Sequence, residues 1–383
     1  MSARLIVATG AAGAAVLMLG GLAMLGSTST KVGMDGWTGW TGREDAVAVS
    51  DKAAMTPDDA VALKLLERSA AASRSVAYTG RVVVQDGGDT VTTTLVHVPG
   101  RGTVSTASAD GARPVFAPDG RSGSFADEGR QLDLLGINYR VLREAGLDTT
   151  VAGRPAEAVV AIDGEGVLAA RYWLDAETGL LLRKELLDDE GAVWSRSGFD
   201  SFSTEVDSGA VDSAEAATPD DPWSQRLDAA GLKKERQAGC DCPDALPGGL
   251  SLVETRRAPA GSLAEVPLVH QLFSDGLVSV SLFTLQGELS DADREGLRAR
   301  GFELSDLDGL PAWVRGGDTA ASTATAVWQC DTSVLTLVTD DAFSPMTVVR
   351  SVVTALPPTT SVEDASFWDK VRRGWDRVTG ASA

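Results

Sequence analysis

The sequence has little of what metal sites, hydrolytic centres and nucleic-acid surfaces are built from. It holds two histidines, His97 and His270, far apart in the chain, and three cysteines. These are too few and too scattered for the usual ligand clusters of zinc. There is no Gly-x-Ser-x-Gly elbow, no His-Glu-x-x-His and no phosphate-cradling glycine loop, so common hydrolytic and nucleotide chemistries lose their signatures. Bases are also scarce: 34 Lys and Arg against 54 Asp and Glu leave a net charge of −20. Such a surface repels a phosphate backbone, which excludes general nucleic-acid binding. Neither cofactor nor metal is expected, and each histidine alternates within a strand-like run as a structural or surface residue. Non-enzymatic function is the expectation.

What is present begins with Leu5 to Gly26, 22 residues without a charge, preceded by Arg4. A secretory signal has an apolar core of roughly 7–15 residues and a spanning helix needs about 20. The length favours an uncleaved anchor, with a cleaved signal as the alternative. Cysteine for lipid attachment is missing there. Arg4 on the inside places the rest of the chain outside the cytoplasm. Residues 28–54, with Trp37 and Trp40, read as a flexible spacer.

At roughly 100–200 residues per domain, 383 residues suggest two domains plus accessory segments. Thr56-Pro-Asp-Asp opens a helix, with Val61, Leu65 and Leu66 at helical spacing. From Val76 to about residue 204, short β-branched runs alternate with turn signals such as Asp163-Gly-Glu-Gly and Asp188-Asp-Glu-Gly. That pattern describes one large antiparallel sheet curved around the opening helix. Trp173 and Leu174 lead into the turn Asp175-Ala-Glu-Thr-Gly179, and Leu180-Leu-Leu182 continues the pairing as a hairpin.

Residues Asp200 to Asp221 carry seven acids and no base and read as a solvated linker. Cys240-Asp-Cys242 follows, and Cys330 lies in a strand-like run. Outside the cytoplasm a disulfide from Cys330 to Cys240 or Cys242 is expected, with free or intermolecular thiols as the alternative. Closing that loop of about 90 residues would contribute roughly 4–5 kcal/mol on a chain-entropy model. Phe273-Ser-Asp-Gly-Leu277 is a turn, and Val278 to Phe283 alternates as a half-buried strand. Further strands around 326–329 and 334–339 precede a helix near 345–355. The tail reads as an amphipathic helix: Trp368, Val371 and Trp375 recur on one face, with Lys370, Arg372 and Arg373 supplying positive charge. It would lie on an anionic lipid surface, dock on a partner or pack back on the chain.

Several of these segments resemble the MucB/RseB family, in an actinobacterial-type member. They are LLERSAAASRSVAYTGRVVV with its aromatic-x-Gly strand, TLVHV, NYRVLREAGLDTTVAGRPAEAVV and ARYWLDAETGLLLRKELLDDEGAV. LPGGLSLVETRRAP and PLVHQLFSDGLVSVSLFTLQ resemble that family's carboxy-terminal domain. The first domain is also similar in architecture to lipoprotein carriers of the LolA and LppX type.

The resemblance implies an α+β chain. A large curved antiparallel half-barrel (55–205) would follow the membrane segment (1–27) and spacer (28–54). The acidic linker with the Cys pair (206–244), a smaller α/β sandwich (245–357) and the helical tail (358–383) complete it. It further implies an extracytoplasmic regulator that binds the exported segment of a transmembrane anti-sigma factor and shields it from proteolysis. The alternative is a lipid or lipoprotein carrier of the cell envelope. Candidate partner- or lipid-contacting residues are Trp173, Leu180 and Leu182 on the first hairpin, and Phe273, Leu277 and Phe283 on the strand expected to face the first domain.

Overall fold

Alternating side chains and glycine-bearing turns dominate the chain, and strands dominate the structure. The computed structural model describes residues 57–358, except 87–88, 109–114, 119–127, 145, 148, 218–222, 224, 262–263, 265, 318–322 and 341–344. The anchor or signal segment, the spacer with its two tryptophans, and the tail with Trp368, Lys370, Val371, Arg372, Arg373 and Trp375 lie outside the described residues. Among the described residues no helix is long and apolar enough to cross a membrane.

The first half runs α1 (Pro57–Ser75), β1 (Tyr78–Asp86), β2 (Asp89–Val98), β3 (Gly102–Ala107), β4 (Val115–Pro118), α2 (Glu128–Asn138), β5 (Arg140–Glu144), β6 (Thr150–Val151), β7 (Arg154–Ile162), β8 (Leu168–Asp175), β9 (Leu181–Leu187), β10 (Val193–Ser203) and α3 (Gly209–Ala217). The second runs β11 (Gln225–Arg226), α4 (Ala229–Gln237), β12 (Ala245–Leu246), β13 (Leu250–Ala258), β14 (Leu268–Ser274), β15 (Ser279–Gln286), α5 (Asp291–Ala299), β16 (Glu303–Leu307), β17 (Leu310–Gly316), β18 (Ala324–Cys330), β19 (Ser333–Asp340) and α6 (Pro345–Ala355).

The strands form two antiparallel sheets. In the first the order is β4-β3-β2-β1-β10-β9-β8-β7-β5, with β6 on β7, and the two ends do not meet as a closed barrel. In the second it is β11-β13-β14-β15-β19-β18-β17-β16, with β12 on β13.

Helix α1 lies along the first sheet. Ala62 and Leu66 enter a cluster with Val159, Ala170 and Tyr172, and Ala72 enters one with Val82, Leu95, Leu182 and Phe199. Val61, expected on the buried face, is 47% exposed. The small Ala62 beside it takes the buried position, fully covered, which turns the apolar face by one residue. Gly80, the glycine of the aromatic-x-Gly strand, is required by close approach. A Cβ there would stand 2.6 and 2.8 Å from the Phe199 ring. The hairpin turn after β8 is built on Asp175, whose carboxylate accepts from Thr178 N at 2.9 Å and Thr178 Oγ1 at 2.6 Å.

The acidic stretch expected as a linker holds helix α3. Val211 is fully buried and joins Ala214 and Val104 in a small apolar cluster, while Asp212 pairs with Arg101. Two apolar residues three apart were enough to fold a segment whose composition reads as solvent-loving.

The second sheet is covered on both faces. On one, Phe273, Val280, Leu282, Trp328 and Leu337 meet Val349, Val352 and Val353 of α6. On the other, Leu285, Val327, Phe302 and Trp313 meet Leu297 of α5, a helix opened by a Ser290/Asp293 capping box. The helix expected near 345–355 is α6, and Trp328 Nε1 donates to Leu356 O at 2.8 Å to fasten its end.

Cys240 and Cys242 are bonded to each other, with Cα atoms 5.3 Å apart, and Cys330 is a free thiol. This corrects the expected pairing through Cys330. The local pair closes without ordering a long loop. Arg236 holds the turn by donating from Nε to Cys242 O at 2.6 Å and from Nη2 to Asp244 Oδ1 at 2.6 Å.

Candidate partner-binding site at the junction of the two sheets

The turn Ser274 to Val278, between β14 and β15, reaches across to the first sheet. Its shape is set by its own polar atoms. Asp275 Oδ1 accepts from the N–H groups of Leu277 and Val278, both at 2.8 Å. Ser274 Oγ accepts from Gly276 N at 2.9 Å and donates to Val278 O at 2.7 Å. Bonded in this way, the turn presents Leu277 outward from its own sheet. Leu277 is 7% exposed because it enters the cluster of Leu135, Val141 and Val159 in the first domain.

Helix α2 and the residue after it complete the contact. Tyr139 Oη donates to Asp275 Oδ2 at 2.9 Å, Asn138 Nδ2 donates to Asp275 O at 2.7 Å, and Arg130 Nε donates to Leu252 O at 2.7 Å. Burial first, and the neighbouring Asp275 carboxylate second, push the Tyr139 hydroxyl far above the usual tyrosine range, so it stays a donor. Gly276 has φ +106° and passes so close to α2 that a Cβ would fall 2.5 Å from Leu135 Cα. The glycine of Phe-Ser-Asp-Gly-Leu is therefore a junction residue. At the rim, next to Asn138, Ile137 is 60% exposed.

The residues expected to touch a partner are mostly covered. Trp173 is 3% exposed, sits opposite Ala158 and Arg183 in the ladder, and has the Arg183 guanidinium 5.1 Å from its ring. Leu180 and Leu182 are buried in the same cluster, and Phe273 is fully buried under α6. Phe283 stacks on His270 at 4.4 Å, beneath Trp223. Of the six, Leu277 alone bridges the two sheets. The strand expected to face the first domain does so through its leading turn, and Phe273 and Phe283 point elsewhere. Sequence reasoning did not single out Tyr139, Asn138, Arg130 or Ile137. The signal available was the run Ile137-Asn-Tyr139 at a helix end, which has no distinctive chemistry until Asp275 is opposite.

Both histidines are engaged in packing. His97 is 3% exposed, with Nδ1 2.9 Å from Thr103 Oγ1 and its ring stacked on Tyr78. His270 Nε2 lies 3.1 Å from Ser281 Oγ. Burial, aided by Arg256, lowers its pKa to about 4, so it is neutral at pH 7. Among the described residues no three His, Cys, Asp or Glu side chains gather as a metal cage.

Residues 103–220 match the family model described as the MucB/RseB N-terminal domain. The matched stretch begins in β3 and ends after α3. It takes in β4 to β10, nearly all of β3, and α2, the helix that receives the Asp275 turn. No curated protein matches the sequence significantly. Similar solved structures include the crystal structure of MucB, 20% identical, covering 77% of this chain and 97% of that one at a TM-score of 0.46. MucB in complex with MucA(peri) is 19% identical, with coverage of 78% and 100% and a TM-score of 0.46. The Pseudomonas aeruginosa MucA/MucB complex is 20% identical, with coverage of 76% and 96% and a TM-score of 0.44.

Proposed function

We propose that this protein is a non-enzymatic extracytoplasmic regulator. It would bind the exported part of a transmembrane anti-sigma factor and modulate that factor's proteolysis, so controlling an envelope-stress sigma factor. The observation that supports this most is the match of residues 103–220 to the model of the MucB/RseB N-terminal domain. In this reading residues 5–26 hold the chain at the membrane, and the amphipathic tail lies on lipid or on the partner.

Shielding a peptide from a protease needs a docking surface and no catalytic group. Ile137, exposed at the end of α2 next to Asn138, which bonds the Asp275 turn, is an apolar residue open to a partner, and we place the partner there. The carrier alternative needs an open apolar face on the first sheet, and side chains of α1 fill the face it covers. The test is a cleavage assay on the exported half of the anti-sigma factor encoded in the same genome, with its site-one protease. Adding this protein should slow cleavage at least tenfold, and Ile137→Asp should restore it while the melting temperature stays unchanged. Equal cleavage with and without the protein would overturn the reading.

A further inference from the structure

The face of the first sheet turned away from α1 carries a cluster of hydrogen-bond donors that the junction does not use. Ala170, Tyr172 and Leu174 of β8 enter the α1 cluster, so by strand alternation Arg171 and Trp173 point to the other face. The ladder sets Trp173 opposite Arg183 and Arg171 opposite Glu185 on β9. On β10 it sets Gly198 opposite Arg183 and Arg196 opposite Glu185. These six positions form a grid, three strands wide and two rows deep. Neighbouring strands are about 4.8 Å apart and alternate residues along a strand about 6.8 Å.

Printed contacts tie the grid together. The Arg183 guanidinium stands 5.1 Å from the centre of the Trp173 ring, and its stem crosses Gly198, where a Cβ would fall 3.1 Å from Arg183 Cγ. In the next row Glu185 is buried, and it accepts from Arg196 Nε at 2.8 Å and from Arg171 Nη1 at 3.4 Å. Three guanidiniums against one carboxylate leave this spot positive on a chain whose net charge is −20. Two donors of the grid are buried and bond to nothing among the described residues: Trp173 Nε1, on a side chain 3% exposed, and Arg171 Nε. They belong to residues two apart on one face of β8. Indole and guanidinium nitrogens only donate, so the place is matched to oxygens that carry negative charge.

We propose that this grid is a binding site for one small oxyanion, a phosphate or carboxylate group. The anion's oxygens accept from Trp173 Nε1 and Arg171 Nε, and the Arg183 guanidinium beside the ring supplies the charge. The way in is past Arg183, a half-buried side chain whose long stem lets the head swing off the ring. A chain this acidic repels an extended anionic surface, so the occupant is a single group that fits inside the patch. Neither Ile137 nor the Asp275 turn belongs to the grid, and the site stands or falls separately from the regulator reading.

The test follows the indole N–H of Trp173 by NMR in the full chain, labelled with 15N-tryptophan. Its resonance is the one absent from Trp173→Phe. Sodium phosphate and sodium acetate are titrated separately, with ionic strength held constant by sodium chloride. The resonance should move downfield and saturate, as a newly bonded donor does, and the anion that saturates it at lower concentration names the class. Binding to the folded chain should also raise the melting temperature. Arg183→Gln should need about tenfold more anion for the same rise. Arg81→Gln removes one charge from the neighbouring strand β1, where Arg81 pairs with Asp200, and should leave the titration unchanged. An indole resonance unmoved by both anions in the unaltered chain would overturn the site. So would a movement that sodium chloride alone reproduces, or an equal loss in Arg183→Gln and Arg81→Gln.

Discussion

Replacing Gly276 by alanine puts a Cβ where the first domain's backbone already is, 2.5 Å from Leu135 Cα and 2.9 Å from Leu135 Cβ. Neither atom can give way, because Leu135 is itself buried in the cluster beneath α1. The turn must withdraw, and Leu277 withdraws with it. Losing the burial of one leucine costs about 1.5–3 kcal/mol, and holding alanine at a left-handed φ costs about 1–2 kcal/mol. The sum, about 2.5–5 kcal/mol, falls on the contact between the sheets, since each sheet keeps its own core. Gly191→Ala is the matched control: φ is +79° there, and nothing lies within 4 Å of the added Cβ. It should cost only the backbone part. Calorimetry should show the two sheets unfolding together in the wild type and in Gly191→Ala, and separately in Gly276→Ala. Small-angle scattering should show a larger radius of gyration for Gly276→Ala alone. If the two variants melt and scatter alike, the junction does not couple the sheets as argued here.

Three further outcomes are expected. Tyr139→Phe removes one charge-assisted hydrogen bond and should weaken the same coupling by about 1.5–3 kcal/mol, read in the same calorimetric scan. Asp175 is 1% exposed and accepts from Arg154 at 2.9 and 2.8 Å. Burial alone would raise its pKa, but the bonds from Arg154 and Thr178 outweigh it and hold the carboxyl below the ordinary aspartate value. Its contribution is therefore present above about pH 4 and lost as pH falls through the lowered value, and Asp175→Asn should cost about 2–4 kcal/mol in urea unfolding at pH 7. For His270 the folded pKa of about 4 lies below the unfolded 6.5. Stability should thus decline as pH drops from 6.5 toward 4, by at most about 2.5 kcal/mol at pH 4.5, and His270→Gln should flatten that decline.

Much of the fold was legible because its signals are local. The Asp175 to Gly179 turn announces itself through residues within five positions, and β14 and α6 alternate or repeat as their burial requires, whereas β15, expected half-buried, is covered on both faces. What could not be read depends on partners distant in sequence. Helix α3 hides in an acidic stretch because only Val211 and Ala214 matter to its packing, and their partner Val104 lies a hundred residues earlier. Neither expected disulfide through Cys330 formed, because the Arg236-held turn brings Cys240 and Cys242 to each other. Phe273-Ser-Asp-Gly-Leu277 was visible as a turn, yet its glycine is explained only by Leu135 from the other sheet. Apolar candidates such as Trp173 and Phe273 were chosen for size, and size is also what places a residue in a core.

The regulator reading is tested most directly by native mass spectrometry of the full-length protein, purified gently from its own membranes. The account predicts a mass increment equal to a membrane protein that has a cytoplasmic sigma-binding domain, absent from an Ile137→Asp preparation. Increments of lipid size alone, retained by Ile137→Asp, would contradict it and make the protein a carrier.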